Sequence, residues 1–238
     1  MQVHVVSNAT EIKSDEFINK TAVVIDVLRA TSTMVAALVS GCAGIIPMET
    51  VQDAKQAQGE GDLLGGERFC KKIAGFHFGN SPQEYTSSEI QGKRVIVTTT
   101  NGTRAIQKSL KASVILTGSM LNATACAKAC LELKRDVVLV CAGTQDQFSL
   151  EDGLCAGFII HELESLYDDH IQSDDMGTML HWAYLQAQND IEGALLACEN
   201  GRTLSQLGFQ EDVIYCAQAN RYDAVPILHG QVLNLLDA

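Results

Sequence analysis

Short apolar runs and amphipathic segments alternate along the first two thirds of the chain. Residues 2–7 alternate between apolar and polar side chains, which predicts a strand, and the apolar run "AVVIDV" at 22–27 leads into the helix-forming "LRATSTMVAALVSG". The same succession recurs after "GIIPME", "RVIVTTT", "SVILTG" and "DVVLVCA". Strands that alternate with helices of this length predict an α/β fold, with a mostly parallel or mixed sheet covered by helices on both faces.

The last third of the chain, from about residue 174, has a different pattern and is predicted to be helix-rich. Near its end the short stretch "AVPILH" is predicted to return to the sheet as an edge strand. We find no linker, internal repeat or low-complexity segment. Residues 1–238 are therefore predicted to form a single α/β unit or two tightly joined lobes.

The net charge and the distribution of basic residues limit the kinds of partner that the protein is expected to bind. The 238 residues carry a formal net charge of −12, and the 17 basic residues form no stripe, which argues against nucleic acids and anionic membranes as partners. The N-terminus lacks the features of a signal peptide and no window is apolar enough to span a bilayer, so we expect a cytoplasmic protein. A small anion held by locally concentrated Arg residues fits this composition, and a homo-oligomer stays open.

The carboxyl ends of parallel strands and the N-termini of the following helices share one edge of a sheet, where open α/β proteins bind ligands. The first polar turn at this edge is "DVLRATST", with Asp26, Arg29, Thr31 and Ser32. A helix that begins near Thr31 would offer free N–H groups and hydroxyls to an anion, and Asp26 would offer a carboxylate. The alternative is an ordinary helix start with Asp26 solvated or paired to Arg29.

The second polar turn is "TTTNGTRA" at 98–105. Its Asn-Gly pair is typical of a hairpin, but the residues that follow have helical spacing, so a strand-to-helix turn is predicted. The turn lacks the spacing of a nucleotide P-loop. Its hydroxyls, glycine and guanidinium suit phosphate or sulfonate oxygens, and the candidates for binding them are Thr100, Asn101, Gly102, Thr103 and Arg104.

Two further polar segments carry acidic residues. The loop predicted over residues 65–85 contains Glu67 and Arg68, and Ser81 is expected to cap a helix that starts at Pro82. The segment "GTQDQFSLEDGLCAG" places Glu151 and Asp152 in the first turn of a helix. A solvated charged loop and acids that only complement the helix dipole are the alternatives. The functional hypothesis is that Asp26, Glu67, Glu151 and Asp152 form an oxygen-ligand set for Mg²⁺.

Taken in order, "DVLRATST", "GERFCKKIAGFHFGNSPQEY", "TTTNGTRA" and "CAGTQDQFSLEDGLCAG" resemble the 2-phosphosulfolactate phosphatase family. The resemblance runs from about residue 20 to the end of the chain. It implies a Mg²⁺-dependent phosphatase that hydrolyses (R)-2-phospho-3-sulfolactate to 3-sulfolactate and phosphate, a step of coenzyme M biosynthesis. It also makes Arg29, Arg68 and Arg104 the expected holders of the anionic groups of the substrate.

The chemistry expected from this resemblance centres on Asp26, Glu67 and Asp152, and the nucleophile is left open. Either the metal or a carboxylate activates a water, or Asp26 forms an aspartyl-phosphate. The second route departs from the D-x-D pattern of haloacid-dehalogenase-type phosphatases because Leu28 fills the second acidic position. The alternative functions are a non-catalytic phospho- or sulfo-metabolite binding protein and a phosphatase of another phosphorylated hydroxy acid.

Overall fold

The computed structural model describes residues 1–167 and 169–236, and its centre is one open, mixed sheet. In these residues the sheet has eleven strands in the order β5-β4-β6-β3-β11-β10-β7-β2-β8-β1-β9. The strands are β1 Gln2–Val6, β2 Thr21–Ile25, β3 Gly44–Pro47, β4 Leu63–Arg68, β5 Lys71–Lys72, β6 Arg94–Thr98, β7 Val114–Gly118, β8 Val137–Cys141, β9 Gln172–Ser173, β10 Pro226–His229 and β11 Val232–Leu235.

Nine α-helices occur in the same described residues. They are α1 Ala30–Val39, α2 Val51–Ala57, α3 Gly102–Lys108, α4 Ala123–Leu133, α5 Leu150–Leu166, α6 Asp175–Ala187, α7 Ile191–Ala197, α8 Glu199–Gln206 and α9 Gln210–Cys216. None of the described helices combines the length and the apolar character that crossing a membrane requires. The four helices after residue 174 confirm the predicted helix-rich last third.

The two faces of the sheet carry separate apolar cores, as the alternation along β2 illustrates. Val23 and Ile25 pack into a core with buried residues of α4 and α5, whereas Ala22 and Val24 pack into a core with α1 and α3. Successive side chains of a strand point to opposite faces, so a strand that is apolar throughout needs a helix layer on each side. The predicted α/β fold with helices on both faces is therefore confirmed.

The predicted edge position of "AVPILH" is wrong. Strands β10 and β11 form an antiparallel hairpin that lies inside the sheet, between β7 and β3, and joins its two parallel parts. Ile227 and Leu233 are buried there. The missing N–H of Pro226 is tolerated at the first residue of a strand, so this proline does not mark an edge.

The first part of the predicted loop at 65–85 is also different in the structure, because residues 65–68 complete β4. A Cβ on Gly66 would lie 2.1 Å from the backbone oxygen of Thr98 in the adjacent β6, and one on Gly65 would lie 1.9 Å from the Tyr85 hydroxyl. These two glycines therefore permit close packing within the sheet. Two adjacent glycines are equally typical of a flexible loop, which is why the sequence predicted a loop at these positions.

Candidate active site

A cavity opens at the predicted edge of the sheet, where β2, β4, β6 and β8 end. Nine further residues line it besides the five that the sequence predicted. The predicted ones are Asp26, Arg29, Glu67, Thr100 and Asn101, and the others are Leu28, Phe69, Cys70, Asn80, Thr99, Thr144, Gln145, Asn200 and Leu204. Predicted site residues from three of the four polar segments thus line one cavity. The fourth segment also reaches the cavity, through Thr144 and Gln145, which were not predicted as site residues.

Asp26 follows β2 and lies between the first turns of α1 and α3. Its Oδ1 accepts a hydrogen bond from the Ala30 N–H at 3.1 Å, and the Gly102 N–H also donates to its carboxylate. Burial raises the pKa of Asp26 to about 7, with a further contribution from the negative charges of Glu67 and Glu151, while both N–H groups act in the opposite direction. Asp26 therefore changes its charge near neutral pH.

Gly102 is required by the close approach of α1 and α3. A Cβ at this position would lie 2.6 Å from the Ala30 Cβ and 2.8 Å from Asp26 Oδ2. The Asn-Gly pair belongs to a strand-to-helix turn, because α3 begins at Gly102. The prediction against a hairpin is confirmed, and the glycine is what lets the helix start reach the Asp26 carboxylate.

Glu67 connects the end of β4 to the turn after β6. Its Oε1 accepts hydrogen bonds from the N–H and the hydroxyl of Thr100, both at 2.9 Å, and its Oε2 accepts one from the Cys70 N–H at 2.7 Å. This carboxylate is buried and oriented by three donors from two separate segments. It therefore presents a rigid acidic group to the cavity.

Arg29 is buried and has its ionic partner in the last third of the chain. Its NH1 lies 2.5 Å from Asp212 Oδ2 on α9, and its guanidinium carbon lies 4.4 Å from the centroid of the Phe209 ring. The alternatives in which Asp26 is solvated or paired to Arg29 are wrong. An arginine held between a carboxylate and an aromatic face has a fixed orientation, and here it lines the cavity.

The hydroxyls of Thr31, Ser32 and Thr103 close local turns instead of lining the cavity. Thr31 Oγ1 donates to the Asp26 backbone oxygen, Ser32 Oγ donates to that of Val27, and Thr103 Oγ1 donates to that of Thr99. These bonds shape the two strand-to-helix turns that hold Asp26. Direct substrate contacts of the three hydroxyls stay predictions.

Arg68 and Arg104 are likewise engaged by protein groups. Arg68 donates to the backbone oxygens of Glu67 and Glu49 and to the Thr98 hydroxyl. Arg104 NH1 lies 2.6 Å from Asp146 Oδ1 in a partly exposed pair. Neither side chain is among the residues that line the cavity. Their proposed contacts with the anionic groups of a substrate stay predictions.

Asp152 and Glu151 lie at the start of α5 and differ in their surroundings. Both oxygens of Asp152 accept backbone hydrogen bonds, from Val27 N–H at 2.8 Å and from Gly143 N–H at 3.0 Å, which ties the ends of β2 and β8 together. Burial, and then the charges of Glu151 and Asp26, raise the pKa of Asp152 well above its ordinary value. Glu151 lines a neighbouring cavity and accepts a hydrogen bond from Asn200 Nδ2 at 3.1 Å.

Comparison with known proteins shows to which family this chain belongs. The model of a family described as 2-phosphosulpholactate phosphatase matches residues 7–231. The chain belongs to this family. Relatives named "Probable 2-phosphosulfolactate phosphatase" occur in Clostridium novyi, with 39% identity over 96% of this chain and 97% of the relative. Others are found in Clostridium acetobutylicum, at 40% over 98% and 100%, and in Thermotoga maritima, at 41% over 91% and 92%.

The surroundings of the four acidic residues show which of them could hold a metal ion in this member of the 2-phosphosulpholactate phosphatase family. In residues 1–167 and 169–236, no three His, Cys, Asp or Glu side chains are grouped so that they could hold a metal ion. Neither Glu151 nor Asp152 is among the residues that line the cavity. Asp26 and Glu67 line the cavity together, and Mg²⁺ commonly binds through one or two carboxylates, waters and substrate phosphate oxygens. These two residues fit such an ion.

Among the residues that were not predicted from the sequence, Asn80 and Asn200 line the cavity, whereas Asp212 does not line it but pairs with Arg29, which does. Asp212 was detectable in principle: it lies on α9 among the buried Val213 and Cys216, and a charged side chain on an apolar helix face indicates a buried partner. Asn80 lies in the "GNSP" turn, for which the sequence predicts only that Ser81 caps a helix starting at Pro82. No local signal distinguishes Asn200 from other polar helix residues.

Proposed function

We propose that this chain is a Mg²⁺-dependent phosphatase that hydrolyses 2-phospho-3-sulfolactate to 3-sulfolactate and phosphate. The observation that carries the proposal is the meeting of two buried carboxylates, Asp26 and Glu67, with the buried guanidinium of Arg29 in one cavity. Carboxylates and a guanidinium in one cleft suit a phosphorylated acid that is bound together with a cation. We extend the proposal to an enzyme of coenzyme M biosynthesis, as the family resemblance implies, and to a cytoplasmic location, as the sequence of the N-terminus predicts.

In this proposal the carboxylates hold a cation, and the guanidinium and the uncharged polar groups bind the substrate. Asp26 and Glu67 would hold the cation, which when bound would offset negative charge on the phosphoryl oxygens and on the leaving oxygen. Arg29 would bind anionic oxygens of the substrate with guanidinium nitrogens other than NH1, because NH1 donates to Asp212. Thr100 and Asn101 add uncharged polar groups to the same cavity.

Asp26 is the residue proposed to act on the reacting atoms, and two routes stay open. In the first route it would accept a proton from the attacking water while the P–O bond to the hydroxy acid breaks, and the leaving oxygen would take up a proton to give the free hydroxyl. In the second route it would attack phosphorus itself, releasing the same hydroxy acid and forming an aspartyl-phosphate that water then hydrolyses to phosphate and the free carboxylate. Burial raises the pKa of Asp26 to about 7 in the protein without a cation, and a bound cation would favour the ionised carboxylate that either route needs. Transfer of labelled phosphate from substrate to protein distinguishes the covalent route from direct attack by water.

Phosphate release tests the proposed activity and its metal dependence. We expect turnover of 2-phosphosulfolactate with Mg²⁺, a loss of about 100-fold or more after treatment with EDTA, and recovery when Mg²⁺ is added back. The EDTA-treated protein should keep its circular dichroism spectrum, which separates loss of the cation from unfolding. If no phosphoester supports metal-dependent release, the chain is better described as a binding protein for phosphorylated or sulfonated metabolites.

A second candidate is a phosphatase of another phosphorylated hydroxy acid. Among the residues that line the cavity in the described chain, Arg29 is the one with a permanent positive charge, whereas 2-phosphosulfolactate carries three acidic groups. This observation leaves room for a substrate with fewer anionic groups. A comparison of kcat/KM for 2-phosphosulfolactate and 2-phospholactate decides between them, since a preference for 2-phospholactate would favour the second candidate.

A further inference from the structure

The side chain of Asn80 has an unusual environment at the cavity. The residue is 6% exposed, yet within residues 1–167 and 169–236 its buried Oδ1 has no hydrogen-bond partner. Three other buried side-chain oxygens in this part of the chain share that property, on Thr21, Thr117 and Ser173, and none of these residues lines the cavity. A buried polar group without a protein partner requires an explanation, and for a residue that lines a cavity a bound ligand or water is one such explanation.

The backbone around Asn80 is held by hydrogen bonds to other elements, so the unpartnered Oδ1 does not result from a loose loop. The Asn80 backbone oxygen accepts a hydrogen bond from Thr33 Oγ1 at 2.9 Å. The next residue, Ser81, was expected to cap the helix at Pro82, but its Oγ instead donates to Asp212 Oδ1 at 2.6 Å. The turn is therefore tied both to α1 and to α9, and within the described residues the side-chain Oδ1 has no protein partner.

Asp212 connects this turn to Arg29. One of its oxygens accepts from Ser81 and Gln83, at 2.6 and 3.3 Å, and the other accepts from Arg29 NH1 at 2.5 Å. Asp212 is buried, and no residue of its helix, α9, lines the cavity. A single carboxylate thus sets the positions of two cavity residues that are 51 positions apart in the chain.

We propose that Asn80 and Arg29 form a subsite for the acidic group of the substrate that is not transferred, a carboxylate or a sulfonate, and that Asp212 is the positioning residue of this subsite. The proposal rests on the phosphatase function proposed above and names how its substrate is recognised. Rotation of the terminal amide exchanges Oδ1 and Nδ2, so Asn80 can direct two N–H donors at an anion. Together with the free nitrogens of Arg29, it supplies donors of the kind that a planar carboxylate or a sulfonate accepts.

The decisive variant is Asn80→Asp, which keeps the shape of the side chain and replaces its donors with a negative charge. Its control is Asn189→Asp, which adds the same charge at an exposed residue outside the cavity. The specificity ratio, kcat/KM for 2-phosphosulfolactate divided by kcat/KM for an aryl phosphate without a second acidic group, should fall about 30-fold in N80D because like charges then meet. The ratio should keep its native value in N189D.

Asp212→Asn tests the positioning role. We expect the same ratio to fall about 10-fold, mainly through a higher KM for 2-phosphosulfolactate, because Arg29 loses the charge that orients it. A purely structural role would instead lower kcat for both substrates together. Equal loss on both substrates by D212N, in a protein that keeps its circular dichroism spectrum, would overturn the positioning role.

Calorimetric binding of 3-sulfolactate tests the subsite without any turnover, since this molecule lacks the phosphoryl group. Native protein and N189D should bind it, and N80D should bind it at least about 10-fold more weakly. Equal binding by N80D, or no binding by the native protein, would overturn the subsite even if the chain proves to be a phosphatase. If no phosphoester is hydrolysed, the proposed function fails, whereas selective loss of binding in N80D would still support the subsite.

Discussion

Asp26→Asn should lower phosphatase activity by about 1,000-fold or more, because it removes the one carboxylate that lies between the first turns of α1 and α3 at the cavity. Both proposed routes need the negative charge of the Asp26 carboxylate. It serves as the base or as the nucleophile, and in both routes it holds the cation. The loss should appear in kcat, measured by phosphate release with Mg²⁺ present. Transfer of labelled phosphate to the protein, if native protein shows it, should disappear in the variant.

The same variant should make the fold more stable above neutral pH. The folded chain holds the Asp26 proton up to a pKa of about 7, whereas the unfolded chain releases it near 3.8. This contribution to stability is complete below the unfolded pKa and is lost as pH rises through the folded pKa. Asparagine has no such proton, so the free energy of unfolding of D26N relative to native should rise by about 2–3 kcal/mol between pH 5 and pH 8.

Denaturant unfolding at the two pH values measures this difference, and Asp62→Asn is the control. Arg94 lowers the pKa of Asp62, so that carboxylate stabilises the fold above its unfolded pKa and the contribution is lost as pH falls through the folded pKa. D62N should therefore be destabilised at pH 8. Added Mg²⁺ should raise the melting temperature of native protein at pH 8 more than that of D26N. A pH-independent effect of D26N would contradict the assigned surroundings of Asp26.

Gly102→Ala should lower kcat/KM by about 100-fold and the free energy of unfolding by about 1–3 kcal/mol. The new methyl group would meet the Ala30 Cβ at 2.6 Å and Asp26 Oδ2 at 2.8 Å, and neither can move without shifting a helix start or the carboxylate itself. Steady-state kinetics and denaturant unfolding measure the two effects. Activity near the native level would mean that the close approach of α1 and α3 does not position Asp26.

A matched control is Gly177→Ala, in the first turn of α6 and away from the cavity. Its added Cβ would lie 3.1–3.2 Å from atoms of the Ile160, Asp174 and Ser173 side chains. Side chains can give way by a few tenths of an ångström, so a change in stability within about 1 kcal/mol and native kinetics are expected. The comparison separates the effect of a methyl group at a helix start from its effect on Asp26.

Much of the fold and part of the site could be predicted from local pattern. The alternation of apolar runs with helical segments predicted the α/β sheet with helices on both faces, since each element must bury its own apolar side. The helical spacing after Asn101 predicted α3 and excluded a hairpin. Topology also placed Asp26, Glu67 and Asn101 at one edge, because strand ends in a parallel arrangement meet there.

The sequence by itself determined the layered α/β class, the strand-to-helix turns and the acidic, hydroxyl-rich edge, because these depend on side-chain periodicity and turn chemistry within a few residues. Only the tertiary structure decided that β10 and β11 enter the middle of the sheet, that Asp212 holds Arg29 and that Asp152 braces two strand ends. The physical reason is that these contacts join residues that are far apart along the chain. Partners such as Arg29 and Asp212 are separated by 183 positions, and their pairing depends on how α9 packs rather than on either local pattern.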